Sequence, residues 1–145
     1  MTRSDFGTTG EAELVELVEL DRSECLSLLA EAEVGRIIFT EAAMPAAHPV
    51  NYLLDGEEIL FRTGGGRTFT AIHGAVVGFQ SDSIDRISRT GWSVLGIGHA
   101  YEVCDPVRLA DLVERLPVPW APHPSAHVVA VPLQRLTGRR LARIA

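Results

Sequence analysis

An Asp55-Gly56 pair stands between two short runs of strand-forming residues, 47–54 and 58–63, and commits the middle of the chain to a β-hairpin. Pro49 inside the first run places that strand at a sheet edge or a bulge. The second run leads directly into Phe61-Arg62-Thr63-Gly64-Gly65-Gly66-Arg67-Thr68. That segment sets two guanidinium groups and two hydroxyls around three consecutive glycines. Glycine lets backbone N–H groups approach an anion closely, and a guanidinium fork matches phosphate oxygens in two-pronged fashion. One reading is a phosphate cradle on a β-scaffold, which points to a phosphorylated small molecule. The other is a flexible hairpin exit with surface arginines.

The rest of the chain continues the β pattern. Residues 13–20 fit a strand or a helix lead-in. Asp21 with Glu24 three residues later forms a capping-box start for a helix that carries Leu26, Leu29 and Ala30 on one face and ends at Gly35. Residues 36–40 read as a strand, with Met44-Pro45 in the turn after it. A short helix is expected over 69–73, strands over 75–81 and 92–104, and a polar connection over 82–91 between them. Gly96 and Gly98 permit the long strand to curl sharply. Pro106 opens a helix to about residue 116, residues 117–122 are too proline-rich for regular structure, and a last strand runs over 127–133 and on towards 141. About six strands joined by short turns, with two helices and a helical turn, imply a mainly β fold, a small antiparallel barrel.

At 145 residues the chain is expected to form one domain over 13–145, preceded by a disordered tail at 1–12. A formal charge of −6 argues against a nucleic-acid partner, whose phosphates demand a broad basic surface, so any anion site is local. Residues 1–10 hold one arginine and no apolar segment, which does not fit a signal peptide, and no apolar run approaches the ~20 residues of a membrane span. With Cys25 and Cys104 in no metal or disulfide pattern, a cytoplasmic protein with two free thiols is expected.

Several chemistries are weighed and set aside. A Walker loop ending at Thr68 requires lysine at Arg67 and glycine at Phe61, and a Rossmann fingerprint requires a small residue at Phe69 within a βαβ unit. Gly91-Trp92-Ser93-Val94-Leu95 lacks the final glycine of a nucleophile elbow. His123 and His127 are four apart, yet Pro124 breaks a shared helical face, and no cysteine or carboxylate completes a metal set. Asp82, Asp85, Arg86 and Arg89 read as a solvated loop, and Arg139, Arg140 and Arg143 as a basic strand end available to an anion.

Taken in order, His48-Pro49-Val50-Asn51-Tyr52, Phe61-Arg62-Thr63 with its glycine loop, Gly91-Trp92-Ser93-Val94 and Leu136-Thr137-Gly138-Arg139-Arg140 resemble the pyridoxamine 5′-phosphate oxidase-like family. The narrower likeness is to its short bacterial branch, related to 5-nitroimidazole reductases, and it covers about 20–141. The resemblance implies a six-stranded antiparallel split β-barrel and a homodimer with FMN in two interfacial clefts. It places His48, Pro49, Val50 and Asn51 along the flavin ring, and Arg62 and Thr63 at the ring edge and ribityl phosphate. Arg67 and Thr68 would clamp the phosphate, and Trp92 and Ser93 would approach from a neighbouring strand or subunit.

Arg67 stands where relatives commonly carry lysine, and the chain is not expected to carry the long C-terminal segment that holds substrate phosphate in true pyridoxamine phosphate oxidases. The implied activity is therefore flavin-dependent redox chemistry on a small organic substrate, not vitamin B6 oxidation. No catalytic residue is assigned; His48 is the nearest candidate for proton delivery. Two alternatives stand beside this: a deazaflavin-dependent reductase, whose longer anionic tail would use Arg139 and Arg140, and a flavin- or haem-binding protein without turnover.

Overall fold

A computed structural model describes residues 14–118 and 127–144. The tail expected at 1–12, most of the proline-rich segment and His123 lie outside the described residues. In chain order the elements are β1 (Val15–Leu20), α1 (Arg22–Glu31), β2 (Val34–Glu41), β3 (Met44–Asn51), β4 (Leu53–Asp55), β5 (Glu58–Thr63), α2 (Arg67–Ile72), β6 (Val76–Ile84), β7 (Gly91–His99), β8 (Tyr101–Glu102), α3 (Pro106–Arg115), β9 (His127–Pro132) and β10 (Arg135–Arg143).

All strand pairings are antiparallel, in a six-stranded sheet of order β1-β10-β7-β6-β2-β3 and a four-stranded sheet of order β4-β5-β9-β8. The architecture is that of a split barrel whose two sheets do not close on each other. Of the strands expected from sequence, those over 36–40, 47–54, 75–81 and 92–104 begin in the larger sheet as β2, β3, β6 and β7, and those over 58–63 and 127–133 form β5 and β9 of the smaller one. The smaller sheet arises because several long β runs pass from one sheet to the other.

Alternation decides which face each strand buries. In β2, Gly35, Ile37 and Phe39 point into the core while Arg36 and Thr40 face out. Strands β5 and β9 carry unbroken apolar runs, Ile59-Leu60-Phe61 and Val128-Val129-Ala130-Val131, because the small sheet is covered on both sides. Ile59, Phe61, Val129 and Val131 join the main core with Cys25 and Leu29 of α1. Leu60, Val128 and Ala130 face Leu112 and Leu116 at α3. Cys25 is buried and Cys104 exposed, both as free thiols.

Local signals form as expected at three points. Asp21 and Glu24 make a reciprocal capping box. Asp55 and Glu58 close the β4–β5 hairpin with Gly56 at φ 63°. Pro106 opens α3 behind the Asp105 cap. Pro49 lies on β3, an edge strand.

Three expectations are corrected. Gly35 does not end a helix: α1 stops at Glu31, and Gly35 sits inside β2 where an added Cβ would lie 2.2 Å from the Phe79 ring. Met44-Pro45 is not the turn. Ala42 and Ala43, both left-handed at φ 51° and 64°, make it, and Met44 already begins β3. The run 92–104 is not one strand either. It leaves the large sheet after His99 and, past Ala100, resumes as β8 in the small one. Glycine at 98 serves that crossing, since a Cβ there would lie 1.7 Å from the Pro132 carbonyl oxygen.

Candidate functional site

Edge strand β3 of the large sheet runs beside β5 of the small sheet, and a cavity of about 260 Å³ opens between them. Its apolar wall comes from Ile37, Pro49, Val50, Phe61 and Pro117, and its polar groups from His48, Asn51, Arg62, Thr63 and Thr68. Seven of the ten residues expected to hold a flavin therefore line one cavity: His48, Pro49, Val50, Asn51, Arg62, Thr63 and Thr68.

The local structure explains their convergence. The β2–β3 register sets His48 opposite Ile37, and its ring meets Phe39 edge-on at 5.1 Å between centroids. Arg62 extends from β5 to α3, where Nη2 donates to the Val113 carbonyl at 3.0 Å. Its Nε is buried and has no hydrogen-bond partner among the described residues. A buried N–H left unpaired costs about 1–3 kcal/mol, so this atom marks where a ligand acceptor would be favoured. The glycine loop turns the chain from β5 into α2, with Gly66 at φ 103° and no side chain capping the helix start. Thr68 thereby reaches the cavity from the first turn of α2.

Three expected residues lie elsewhere in this chain. Arg67 is almost fully exposed and pairs through Nε with Glu41 Oε2 at 3.4 Å, on the far side of the loop. Trp92 and Ser93 sit on β7, separated from β3 by β6 and β2. As consecutive strand residues they point to opposite faces. Trp92 packs against the main core, whereas Ser93 belongs to an outer-face network in which Gln80 donates to both Asp82 Oδ2 (2.8 Å) and Ser93 Oγ (3.2 Å).

His127 and Glu102 meet next to the loop, a placement the sequence does not reveal. His127 on β9 pairs with Thr63 on β5, its Nδ1 is 2.7 Å from Glu102 Oε2, and its ring stacks on Phe69 of α2 at 3.9 Å. From sequence, His127 is visible only as a partner for His123. Thr63 and Glu102 become its neighbours through the pairing of β9 with β5 and β8, which no local pattern encodes.

The structure is a split barrel with a cleft, walled by apolar and polar side chains, beside a glycine-rich turn. The family model described as pyridoxamine 5′-phosphate oxidase matches residues 21–140. This chain belongs to the pyridoxamine 5′-phosphate oxidase-like family. An uncharacterized protein of Mycobacterium tuberculosis, Rv0080, is 40% identical over 132 residues, covering 87% of this chain and 86% of the relative. The FAD-binding protein of Mycobacterium smegmatis superposes with a TM-score of 0.68 at 28% identity, covering 86% of this chain and 98% of that one. A Bacteroides thetaiotaomicron protein provisionally assigned to 5-nitroimidazole antibiotic resistance shares the fold, with a TM-score of 0.71 at 13% identity and 90% of each chain covered.

Proposed function

We propose that the chain binds FMN in the β3–β5 cleft as a homodimer and acts as a flavin-dependent oxidoreductase on a small organic substrate. The observation that carries this reading is the convergence of a flat apolar wall and the Arg62, Thr63 and Thr68 polar groups on one cavity, with the Arg62 Nε buried and unpaired. The residues suit the group: ring against Pro49 and Val50, polar ring edge against His48 and Asn51, phosphate towards Thr63, Thr68 and the glycine loop. At about 260 Å³ the cavity falls just short of the ~300–1,000 Å³ of a complete small-molecule site, which supports completion of the cleft by a second copy. Bound flavin would supply hydride transfer, while the protein supplies placement, a water-poor wall and positive charge. His48, exposed at the cavity rim, is the side chain best placed to hold a proton.

A second reading takes FAD in place of FMN, since the Mycobacterium smegmatis relative binds FAD. The hollow around Gly66, Arg67 and Thr70 next to the cleft would receive the longer tail. The deazaflavin alternative would draw on Arg139 and Arg140, and a carrier without turnover would use the same cleft. Purified protein that is yellow and releases FMN on denaturation supports the first reading. Release of FAD supports the second, a Soret band indicates haem, and a colourless protein that binds neither flavin overturns both flavin readings. Bleaching of bound flavin by NAD(P)H and reoxidation by an acceptor separates an enzyme from a carrier.

A further inference from the structure

At the glycine loop, Arg67 turns away to Glu41 and Arg62 is held at the α3 carbonyl. Behind the loop lies a histidine held between a carboxylate and an aromatic ring. His127 is the cross-strand partner of Thr63, so the two side chains share one face of the small sheet at neighbouring positions. Glu102 on β8 meets Nδ1 at 2.7 Å, which fixes the ring and offers a counter-charge to the protonated form. Phe69 on α2 covers the imidazole face at 3.9 Å and an interplanar angle of 16°, an arrangement that favours a cation over its π face. With Nδ1 held by Glu102, the other nitrogen faces the loop: a Cβ built on Gly65 would lie 3.7 Å from Nε2.

We infer that the Glu102–His127 pair is a titratable part of the anion site, in which protonated His127 adds positive charge beneath the Thr63–Gly66 turn and strengthens binding of a phosphate ester there. The inference rests on the proposed seating of the flavin phosphate at this loop. The groups facing His127 are Glu102 from β8, Phe69 from α2 with His73 stacked behind it at 5.2 Å, and the Gly65 backbone; the Arg67–Glu41 pair lies outside the loop. The sign follows directly. A proton taken up by His127 when the dianion binds makes affinity rise as pH falls, by at most tenfold per pH unit. The phosphate monoester itself loses charge near pH 6, which sets the lower limit of the useful window.

The test is a fluorescence titration of the full chain with FMN and with riboflavin between pH 6.5 and 8.5. It is repeated for His127→Gln, Glu102→Gln and Gly65→Ala. Gly65 is outside the left-handed region, so alanine suits its backbone and places a methyl in contact with Nε2. For the wild type, FMN affinity should fall by about tenfold from pH 6.5 to 8.5 while riboflavin affinity stays level. His127→Gln should abolish the slope and hold FMN affinity at the weak, high-pH value without changing riboflavin binding. Glu102→Gln should move the fall to lower pH, and Gly65→Ala should flatten it.

An FMN slope that survives in His127→Gln overturns the inference and leaves the flavin reading intact. Equal losses for FMN and riboflavin also overturn it, since they make His127 a prop for the loop and not a source of charge. If neither flavin binds the wild type, the functional reading fails instead. The inference is then decided by titrating inorganic pyrophosphate while following the His127 ring signals by NMR: a saturable shift sustains it and an unmoved resonance overturns it.

Discussion

Every one of the 13 basic residues in this chain is an arginine, so no lysine titrates near pH 10 and the alkaline limb of stability belongs to the tyrosines and thiols. Tyr52 dominates it. The side chain is buried, its hydroxyl donates to the Leu29 carbonyl at 2.6 Å, and its ring meets Phe79 edge-on at 4.7 Å. Burial pushes the phenol up to about 12 from its ordinary 10. A raised pKa means the folded state holds its proton more tightly than the unfolded chain. The associated stability is therefore complete below pH 10 and lost as pH rises towards 12, by roughly 2–3 kcal/mol. Denaturant titrations between pH 9 and 12 should show this fall. Tyr52→Phe should remove most of it while costing about 1 kcal/mol at neutral pH through the lost hydrogen bond. Burial pushes Cys25 and Tyr101 upward too, so a shallower slope should remain in the variant.

Arg67 illustrates a different residue-scale question, since its exposed pair with Glu41 is of a kind that contributes ~0–1 kcal/mol and yields readily to a better anion. If it swings from Glu41 to the flavin phosphate, as the family resemblance implies, Arg67→Ala removes a charge-assisted contact of about 1.5–3 kcal/mol and should weaken FMN roughly ten- to a hundredfold. Thermal stability should stay within a degree or two. Glu41→Gln should strengthen FMN binding a few-fold by releasing the guanidinium. Unchanged affinity in the alanine variant would place the phosphate elsewhere.

At the scale of elements, the β2–β3 turn is the least favourable local choice in the chain. Two alanines hold left-handed φ angles that their Cβ atoms disfavour, in a two-residue connection that asparagine and glycine satisfy far better. Replacing Ala42-Ala43 with Asn-Gly should raise stability by about 1 kcal/mol, seen as a higher urea midpoint with an unchanged slope. The same hairpin shows what a sequence can and cannot reveal. Asp55-Gly56, the Asp21/Glu24 box and Pro106 announce their elements because their signals are short-range and chemical. Ala42-Ala43 carries no turn signature, whereas the proline next to Met44 does. Gly35 looked like a helix stop because its actual constraint, the Phe79 ring, sits on a strand far along the chain. The cleft was legible to the extent that two short runs, 48–51 and 61–63, line it together, although they lie on strands of different sheets. Arg67, Ser93 and His127 depended on sheet order and side-chain direction, which only long-range pairing decides.

At the scale of the whole molecule, one large surface has no partner among the described residues. The three helices place their buried residues, Cys25 and Leu29, Ile72, and Leu112, in the two cores, so none of them covers the outer face of the six-stranded sheet. Along that face the register lines up Arg36, Gln80, Leu95 and Thr137 across β2, β6, β7 and β10, with half-buried Ile38 and Ile97 in the next row. Apolar residues at the centre with polar groups around them make a surface suited to a self-complementary two-fold contact. Such a contact would also bring the Gln80–Ser93 network to a second copy, where Ser93 could serve a cleft that it does not reach in its own chain. Leu95→Glu puts a charge into the middle of that face and leaves both cores untouched. The wild type should sediment at twice the chain mass. The variant should sediment as a monomer with unchanged circular dichroism and bind FMN at least tenfold more weakly. A monomeric wild type with full FMN affinity would show that one chain suffices, and a Leu95→Glu variant that remains dimeric would move the contact to another face.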